Sequence, residues 1–147
     1  MKLSKMIIAC MCFTLLLMNA QCDSDDDLND DSCGEFVIID NSFFESAVSG
    51  DYTLVGYNLD QDCLTIEVSA SGCDGETWSM VLVDSGNVAE SSPEQRYLKF
   101  VFTNNEACLA VFNQSRSFNL SNIRVEGSNE VVLNIEGFPE SINYVYP

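Results

Sequence analysis

The sequence predicts an all-β protein, an antiparallel β-sandwich of about eight or nine short strands. From Phe36 onwards, apolar and polar residues alternate with a period of two in one short segment after another. Gly, Asn, Asp and Ser residues separate these segments, as they do at turns. A helical period is nearly absent. A small β-barrel is the alternative architecture that the same pattern allows.

The first elements are short. Phe36–Ile39 is an apolar run that predicts a strand. A capping-box spacing that begins at Ser42 predicts one or two helical turns over 43–48. The segment 52–59 predicts the next strand, in which Gly56 would mark a bulge.

The clearest strand is Cys63–Ser69, where apolar and polar side chains alternate without a break. The segment 78–83 alternates in the same way. The residues 84–95 do not, so they predict the longest loop, with a brief helical turn at Ser92–Gln95. Three side chains of the clearest strand are expected to face the core: Leu64, Ile66 and Val68.

Further strands are expected in the second half of the chain. Leu98–Thr103 and Cys108–Phe112 flank two asparagines and predict a hairpin. The remaining predicted strands, two weak and two clear, are 117–120, 123–126, Val131–Glu136 and Ile142–Tyr146.

The first 21 residues have the layout of a secretory signal, with Lys2 and Lys5 ahead of the apolar run Met6–Met18. This run is shorter than the ~20 residues that a membrane-spanning helix needs. We therefore expect a signal peptide at 1–21. An acidic tether at 22–35 and a single β-domain at 36–147 would follow it.

Cys22 ends the segment Leu17-Met18-Asn19-Ala20-Gln21-Cys22, and the acid-rich residues Asp23, Ser24, Asp25, Asp26 and Asp27 follow it. This layout resembles lipoproteins of the Bacteroidota, especially those of flavobacteria, over about the first 30 residues. The resemblance implies lipidation of Cys22, which would hold the protein at a membrane, since several acyl chains bind a bilayer firmly. It also implies that the acidic run is a signal for export to the outer leaflet of the outer membrane. In enterobacteria, an Asp directly after the lipidated Cys resembles a retention mark, so a periplasmic location stays open, as does cleavage to a secreted protein.

Charge excludes one class of partner. The chain has 23 acidic and six basic residues, for a formal net charge of −17. Removal of the signal would leave four cationic side chains, Arg96, Lys99, Arg116 and Arg124. Such a surface repels phosphate backbones, so we expect no nucleic-acid partner.

The seven cysteines fall into three groups. Two lie in the signal, and Cys22 is the expected lipidation site. The other four, Cys33, Cys63, Cys73 and Cys108, form an even set in an exported domain, which favours disulfides. If successive strands reverse direction, Cys33 pairs with Cys63 and Cys73 with Cys108, and the extended segment between Cys63 and Cys73 disfavours a bond between those two.

No catalytic motif is present. The chain has no histidine, which removes Ser-His-Asp and Cys-His nucleophiles and the common zinc patterns. There is no phosphate-binding loop or dinucleotide fingerprint in the predicted mature chain. We therefore expect a protein that is not an enzyme and carries no metal or cofactor.

Two loops and the aromatic residues are weaker candidates for binding. Asp60-Gln61-Asp62 and Asp74-Gly75-Glu76 could help to hold calcium, although solvated turns explain such acids more simply. Trp78 alternates with apolar residues, which favours the core over a sugar-stacking platform. A binding face would require several tyrosines to cluster on the surface: Tyr52, Tyr57, Tyr97, Tyr144 and Tyr146.

The prediction is thus a non-enzymatic, surface-anchored lipoprotein whose β-sandwich binds a protein partner or serves a larger envelope complex. A small ligand- or glycan-binding module is the alternative. An exposed row of aromatic side chains would favour that alternative.

Overall fold

Two β-sheets packed face to face make up the part of the chain that the computed structural model describes, residues 33–147. These residues belong to one unit, Asp31–Pro147. Nine strands are present in them: β1 Glu35–Phe36, β2 Ile38–Ile39, β3 Thr53–Asp60, β4 Cys63–Gly72, β5 Ser79–Ala89, β6 Glu94–Thr103, β7 Ala110–Asn119, β8 Glu130–Ile135 and β9 Ile142–Val145. The four-stranded sheet has the order β1-β7-β4-β3, and the five-stranded sheet has the order β2-β5-β6-β8-β9. The predicted all-β sandwich is confirmed, and the sheets do not close into a barrel.

The sheets are mixed, whereas the sequence predicted antiparallel ones. β1 pairs with β7, β2 with β5, and β6 with β8 in parallel. The third of these pairs arises because the chain leaves the five-stranded sheet after β6. It runs through β7 in the other sheet and returns as β8 in the direction of β6.

The predicted strand at 36–39 is a strap between the two sheets. β1 lies on the four-stranded sheet and β2 on the five-stranded sheet, and Val37 between them is buried. The amide of Val37 donates to the carbonyl of Asn119 at 3.3 Å, and its carbonyl accepts from Nδ2 of Asn122 at 2.7 Å. The apolar run therefore reflects a crossing point and not one continuous strand.

The predicted short helix is present as α1, Asn41–Ser46. Its N-cap is Asp40, which accepts from the amide of Phe43 at 2.9 Å, and not Ser42 as the capping-box spacing indicated. The helix packs against β5. Nζ of Lys99 donates to the carbonyl oxygens of Phe44 at 2.8 Å and of Ala47 at 3.4 Å, at the negative end of the helix.

The predicted long loop at 84–95 is mostly strand. β5 continues to Ala89, and β6 already begins at Glu94, so the helical turn expected at Ser92–Gln95 is wrong. Asp84 pairs with Leu98 and Val88 with Arg96, so β5 carries extra residues in a bulge. The bulge interrupts the alternation of apolar and polar residues.

The expected hairpin after Thr103 is also wrong. β6 lies in the five-stranded sheet, but β7 crosses to the other sheet and pairs with β4 over all ten of its residues. The weak strand expected at 117–120 is the end of β7. The strand expected at 123–126 is absent, because Ser121–Ile123 form a 3₁₀ turn.

The core lies between the sheets, as the alternation in β4 predicted. Leu64, Ile66 and Val68 are fully buried. Phe100 packs edge-on against Phe118, with ring centroids 6.1 Å apart. Complete burial of one such side chain contributes about 1.5–3 kcal/mol, so β4 and β6 supply much of the stability of the domain. The bulge expected near Gly56 is confirmed by a shift in register between Leu54 and Gly56.

Candidate functional site

The residues predicted for lipidation and sorting, Cys22 and Asp23-Ser24-Asp25-Asp26-Asp27, lie outside the described residues. The four cysteines of the domain form the two bonds that the strand count favoured, Cys33–Cys63 and Cys73–Cys108. No helix within residues 33–147 is long and apolar enough to cross a bilayer.

The reason for the first pairing differs from the prediction. The strand count assumed that the strands next to Cys33 and Cys63 run in the same direction. Instead, β1 is parallel to β7 and β4 is antiparallel to β7, so β1 and β4 run in opposite directions. The bond reaches from the start of β1, past β7, to the start of β4. Because Cys33 is buried and β1 begins at Glu35, the β-domain includes the last residues of the tether predicted at 22–35.

A polar cluster lies beside this disulfide. Nη2 of Arg124 donates to both carboxylate oxygens of Asp62, at 2.7 and 2.5 Å, and its Nε donates to the hydroxyl oxygen of Tyr144 at 3.2 Å. The hydroxyl of Tyr144 in turn donates to Asp62. The guanidinium also lies over the ring of Tyr146, 5.4 Å from its centroid. The cluster ties the turn between β3 and β4 to the last strand.

The charges in this cluster satisfy one another. The hydrogen bond from Arg124 holds the pKa of Asp62 below its ordinary value. Burial, together with the hydrogen bond to Asp62, raises the pKa of Tyr144 to about 12. A carboxylate that is ionised and already paired with a guanidinium is a poor general base, so the cluster is suited to bracing and not to proton transfer.

Glu106 closes the opposite end of the domain, beside the second disulfide. Its Oε2 accepts from the amides of Cys73 at 2.5 Å, Gly75 at 3.2 Å and Asp74 at 3.3 Å. Its Oε1 accepts from the hydroxyl of Thr77 at 2.7 Å. These donors lower the pKa of Glu106 to about 2, the hydroxyl of Thr77 having the largest effect. The carboxylate thus caps the turn after β4.

Neither candidate calcium loop presents free oxygen ligands in a cluster. Asp62 is bound to Arg124, and Asp74 accepts from the amide of Glu76 at 2.9 Å within its own turn. Within residues 33–147, no three acidic or other metal-ligating side chains come together.

A buried ion pair joins β5 to β6. Nη1 of Arg96 donates to Oδ1 of Asp84 at 3.0 Å, and the amide of Gly86 in the bulge donates to the same oxygen. Asp84 is fully buried, and this burial raises its pKa. The pair is buried, and its hydrogen bonds to Arg96 and to the amide of Gly86 anchor the bulge.

A cavity of about 410 Å³ is lined by Tyr52, Lys99 and Glu136 together with the segment Ala47–Ser49. Lys99 already donates to two carbonyls, as described above, and lies 3.5 Å from Oε2 of Glu136. Its ammonium therefore holds the helix and the end of β8 in place. This leaves the cavity without an uncommitted cation.

The aromatic side chains do not form an exposed row in the described residues. Trp78 is buried and packs edge-on against Phe102, with centroids 5.2 Å apart, as a core residue would. Tyr144 and Tyr146 are buried too. Phe36 and Tyr97 are the exposed aromatic residues in this part of the chain, and they lie on different sheets.

Much of the outer edge of β7 has no neighbouring strand. β1 covers only its last two residues, Phe118 and Asn119. Successive residues of a strand direct their backbone groups to opposite edges. Because the carbonyl of Asn119 points to the outer edge, where it accepts from Val37, the N–H and C=O groups of residues 111, 113 and 115 point there as well. We call Val111–Ser115 the β7 edge.

Apolar side chains accompany the β7 edge. Val111 is 70 % exposed and Leu109, just before the strand, is 91 % exposed. Over the ten residues of β7 there is no acid, no proline and no bulge. Acids, prolines and bulges are features with which proteins usually protect an edge from further strands. Of such protective features, β7 carries one inward-facing charge, Arg116.

The other sheet edges within residues 33–147 do carry such protection. β3 has the bulge at Val55 and ends in an acid, and β9 has only four residues. β5 is covered by β2 at Val83 and Asp84, and by the packing of α1. β3 also has no strand on its outer side, but it has the bulge and the terminal acid. The β7 edge is thus the long unpaired strand edge within residues 33–147 that has neither a bulge nor an acid.

The sequence patterns did not predict the ion pairs within this domain. The bond between Asp62 and Arg124 joins residues 62 positions apart, and no local spacing signals it. The buried pair Asp84–Arg96 gave a weak signal, since an acid and a base interrupt two apolar alternations near each other in sequence. The β7 edge could not have been found from the sequence, because β7 was divided between a hairpin and a separate weak strand.

No protein-family model matches the chain. No curated protein matches it either. Among solved structures, the chain is similar to a protein of unknown function, DUF1344, from Bacteroides vulgatus ATCC 8482, with a TM-score of 0.53 and 15 % sequence identity. The alignment covers 78 % of this chain and 58 % of that one, so the chain spans less than two thirds of that protein's length. At this identity, the similarity shows a shared sandwich fold.

Proposed function

We propose that the protein is an exported lipoprotein, held at the outer membrane through Cys22, whose β-sandwich binds another protein of the envelope. It is not an enzyme in this proposal. The observation that carries the binding half is the β7 edge, with Val111 and Leu109 exposed beside unpaired backbone groups. Exposed apolar side chains next to an open strand edge are typical of a surface that meets a polypeptide.

The arrangement of charged groups supports a binding role over a catalytic one. The acids and bases with shifted pKa values, Asp62, Arg124, Glu106 and Asp84, are bound to partners within the fold. Catalytic groups usually have shifted pKa values together with access to a cleft. Here the shifted groups brace the two ends of the sandwich and the bulge in β5.

The disulfides support export. Both are placed near an end of the sandwich, one at the start of β1 and one between β4 and β7. Disulfides persist in oxidising compartments and are rare in the cytosol. Cys22 lies eleven residues before the disulfide-bonded Cys33, and eleven residues span at most about 40 Å, so an anchor at Cys22 would keep the domain close to the membrane.

Metabolic labelling with an alkyne fatty acid tests the anchor. We expect the native host to label the wild-type protein, and Cys22→Ser to remain unlabelled and to leave the membrane fraction. Protease digestion of intact cells then distinguishes the two faces of the outer membrane. Labelling that persists in Cys22→Ser, or a wild-type protein that never labels, would refute the lipoprotein assignment.

Photo-cross-linking tests the binding half. A photoreactive residue at Val111 is expected to give a discrete adduct with an envelope protein in intact cells. The same residue at Asn58, exposed on β3, is the matched control and should give none. Cross-linking that is absent at Val111, or equal at the two positions, would contradict a binding role for this edge.

A further inference from the structure

We propose that the β7 edge binds its partner by strand addition, and that the partner supplies an extended segment with an apolar and an acidic side chain four residues apart. This inference rests on the proposed protein-binding function and specifies its mode. Strand addition uses backbone hydrogen bonds for affinity and alternate side chains for specificity.

The backbone of the β7 edge meets the requirement for strand addition. Val111, Asn113 and Ser115 each direct one N–H and one C=O to the outside, so an incoming strand of five or six residues can form up to six hydrogen bonds. β4 holds β7 in an uninterrupted register from Ala110 to Asn119. The incoming strand therefore meets a preorganised edge about 14 Å long.

Gly34 and β1 limit where the incoming strand can lie. Gly34 approaches the carbonyl of Ser117 so closely that a Cβ on Gly34 would overlap it. The backbone around Gly34 thus occupies the edge at Ser117, and β1 occupies the two residues beyond. The segment from Val111 to Ser115 is what remains for a partner.

The side chains of β7 define the sequence that fits. Arg116 lies opposite Ile66, and Gln114 lies opposite Val68, both of which are fully buried in the core. Opposite residues in an antiparallel pair share a face. Phe112, Gln114 and Arg116 therefore form a row along the inner face, apolar at one end and cationic at the other. Phe112 packs partly against the core, and Nε2 of Gln114 donates to the carbonyl of Asp74 at 3.2 Å, so Arg116 is the exposed member of the row.

Arg116 determines the charge of the partner. Arg96, Lys99 and Arg124 each form an ion pair with an acid of the domain. Arg116 is exposed and has no carboxylate within ion-pair distance among residues 33–147. A partner strand that places an acid beside Arg116 and an apolar side chain beside Phe112 complements this row.

A second copy of the chain fits less well. If two β7 edges paired about a two-fold axis, the paired strand would place no acid beside Arg116, because β7 contains none. The two domains, each with a large excess of acids, would also repel each other. The partner is therefore a different polypeptide.

Selection from a phage-displayed library of random ten-residue peptides on the whole purified protein, with its disulfides formed, tests the proposal. We expect the enriched peptides to alternate in polarity and to carry Asp or Glu four residues from an apolar side chain. Ser115→Pro removes an outward N–H without breaking a bond to β4 and should weaken binding of such a peptide at least about tenfold. Ser115→Ala keeps the N–H and should change binding less than about twofold.

Two further measurements keep the test decisive if Ser115→Pro does not fold. Arg116→Glu should reverse the selected charge from acidic to basic. Addition of a selected peptide should slow amide hydrogen exchange at residues 111, 113 and 115 but leave Asn58 unchanged. Peptides without an acid, protection at other strands, or a dimer in solution that Ser115→Pro dissociates would each overturn the proposal. The selection does not depend on lipidation, so loss of the anchor and loss of strand addition are separate outcomes.

Discussion

Arg124 donates hydrogen bonds to both carboxylate oxygens of Asp62, with its Nη2 atom 2.7 Å from Oδ1 and 2.5 Å from Oδ2. Asp62 directly precedes the disulfide-bonded Cys63, and Arg124 follows the 3₁₀ turn after β7. Through Tyr144, the same pair reaches the last strand. One ion pair therefore joins three parts of the chain that are distant in sequence, at the end of the sandwich that carries the Cys33–Cys63 disulfide.

Removal of this ion pair should destabilise the domain moderately. The two side chains are about one quarter to one third exposed, so we expect Arg124→Ala to lower the free energy of unfolding by about 1–2 kcal/mol. Arg124→Lys should recover only part of this loss, because an ammonium does not match the fork of the guanidinium. Urea unfolding at neutral pH measures both. An unchanged midpoint in Arg124→Ala would show that the pair does not brace the fold.

The contribution of Glu106 should depend on pH. Its pKa is about 2 in the folded protein and 4.5 ordinarily, so the folded state favours the ionised form. Its stabilisation is therefore fully present above the ordinary pKa and is lost as the pH falls towards the folded value. The stability difference between wild type and Glu106→Gln should be constant at neutral pH and shrink between pH 4.5 and about 2. Chemical unfolding across this range checks it, with Glu126→Gln, an exposed position, as the control. A difference that does not vary with pH would refute the role of the carboxylate.

Replacement of one member of the buried pair Asp84–Arg96 should destabilise the protein more than replacement of both. Arg96→Met leaves a buried carboxylate without its cation, and we expect a loss of about 3–5 kcal/mol. The double variant Asp84→Leu with Arg96→Met buries no charge and should be more stable than either single variant. A double-mutant cycle of unfolding free energies measures the coupling. Additive losses would contradict it.

Gly34 is expected to be intolerant of a side chain for two separate reasons. Its φ is +80°, and a Cβ would overlap the carbonyl of Ser117. Gly127 has a φ of +83° but open space around it, so Gly127→Ala measures the backbone strain alone, about 1–2 kcal/mol. Gly34→Ala should cost clearly more, because β1 must shift away from β7. Equal losses of stability in the two variants would argue against a close contact between Gly34 and β7.

The strands that sequence reasoning located well are those in which packing and local pattern agree. In β4, the alternation of Leu64, Ile66 and Val68 matches complete burial, because the strand is central and one face meets the core. β8 and β9 follow the same rule. The pattern failed in β5, where the bulge and the buried Asp84 break the alternation, and in β7, whose exposed edge position removes the need for regular apolar residues.

Local patterns of the sequence were enough to establish an all-β domain, its even set of cysteines, its acidity and the layout of its first residues. These depend on residue type and on spacing within about ten positions. The distribution of strands between two sheets, the parallel pairs and the polar contacts Asp62–Arg124 and Asp84–Arg96 arise only when distant segments pack. The β7 edge belongs to this second group. A strand has an open edge only where no other strand pairs with it. The strap crosses to the other sheet at Val37, so β1 pairs with only two residues of β7 and leaves Val111–Ser115 unpaired on that side.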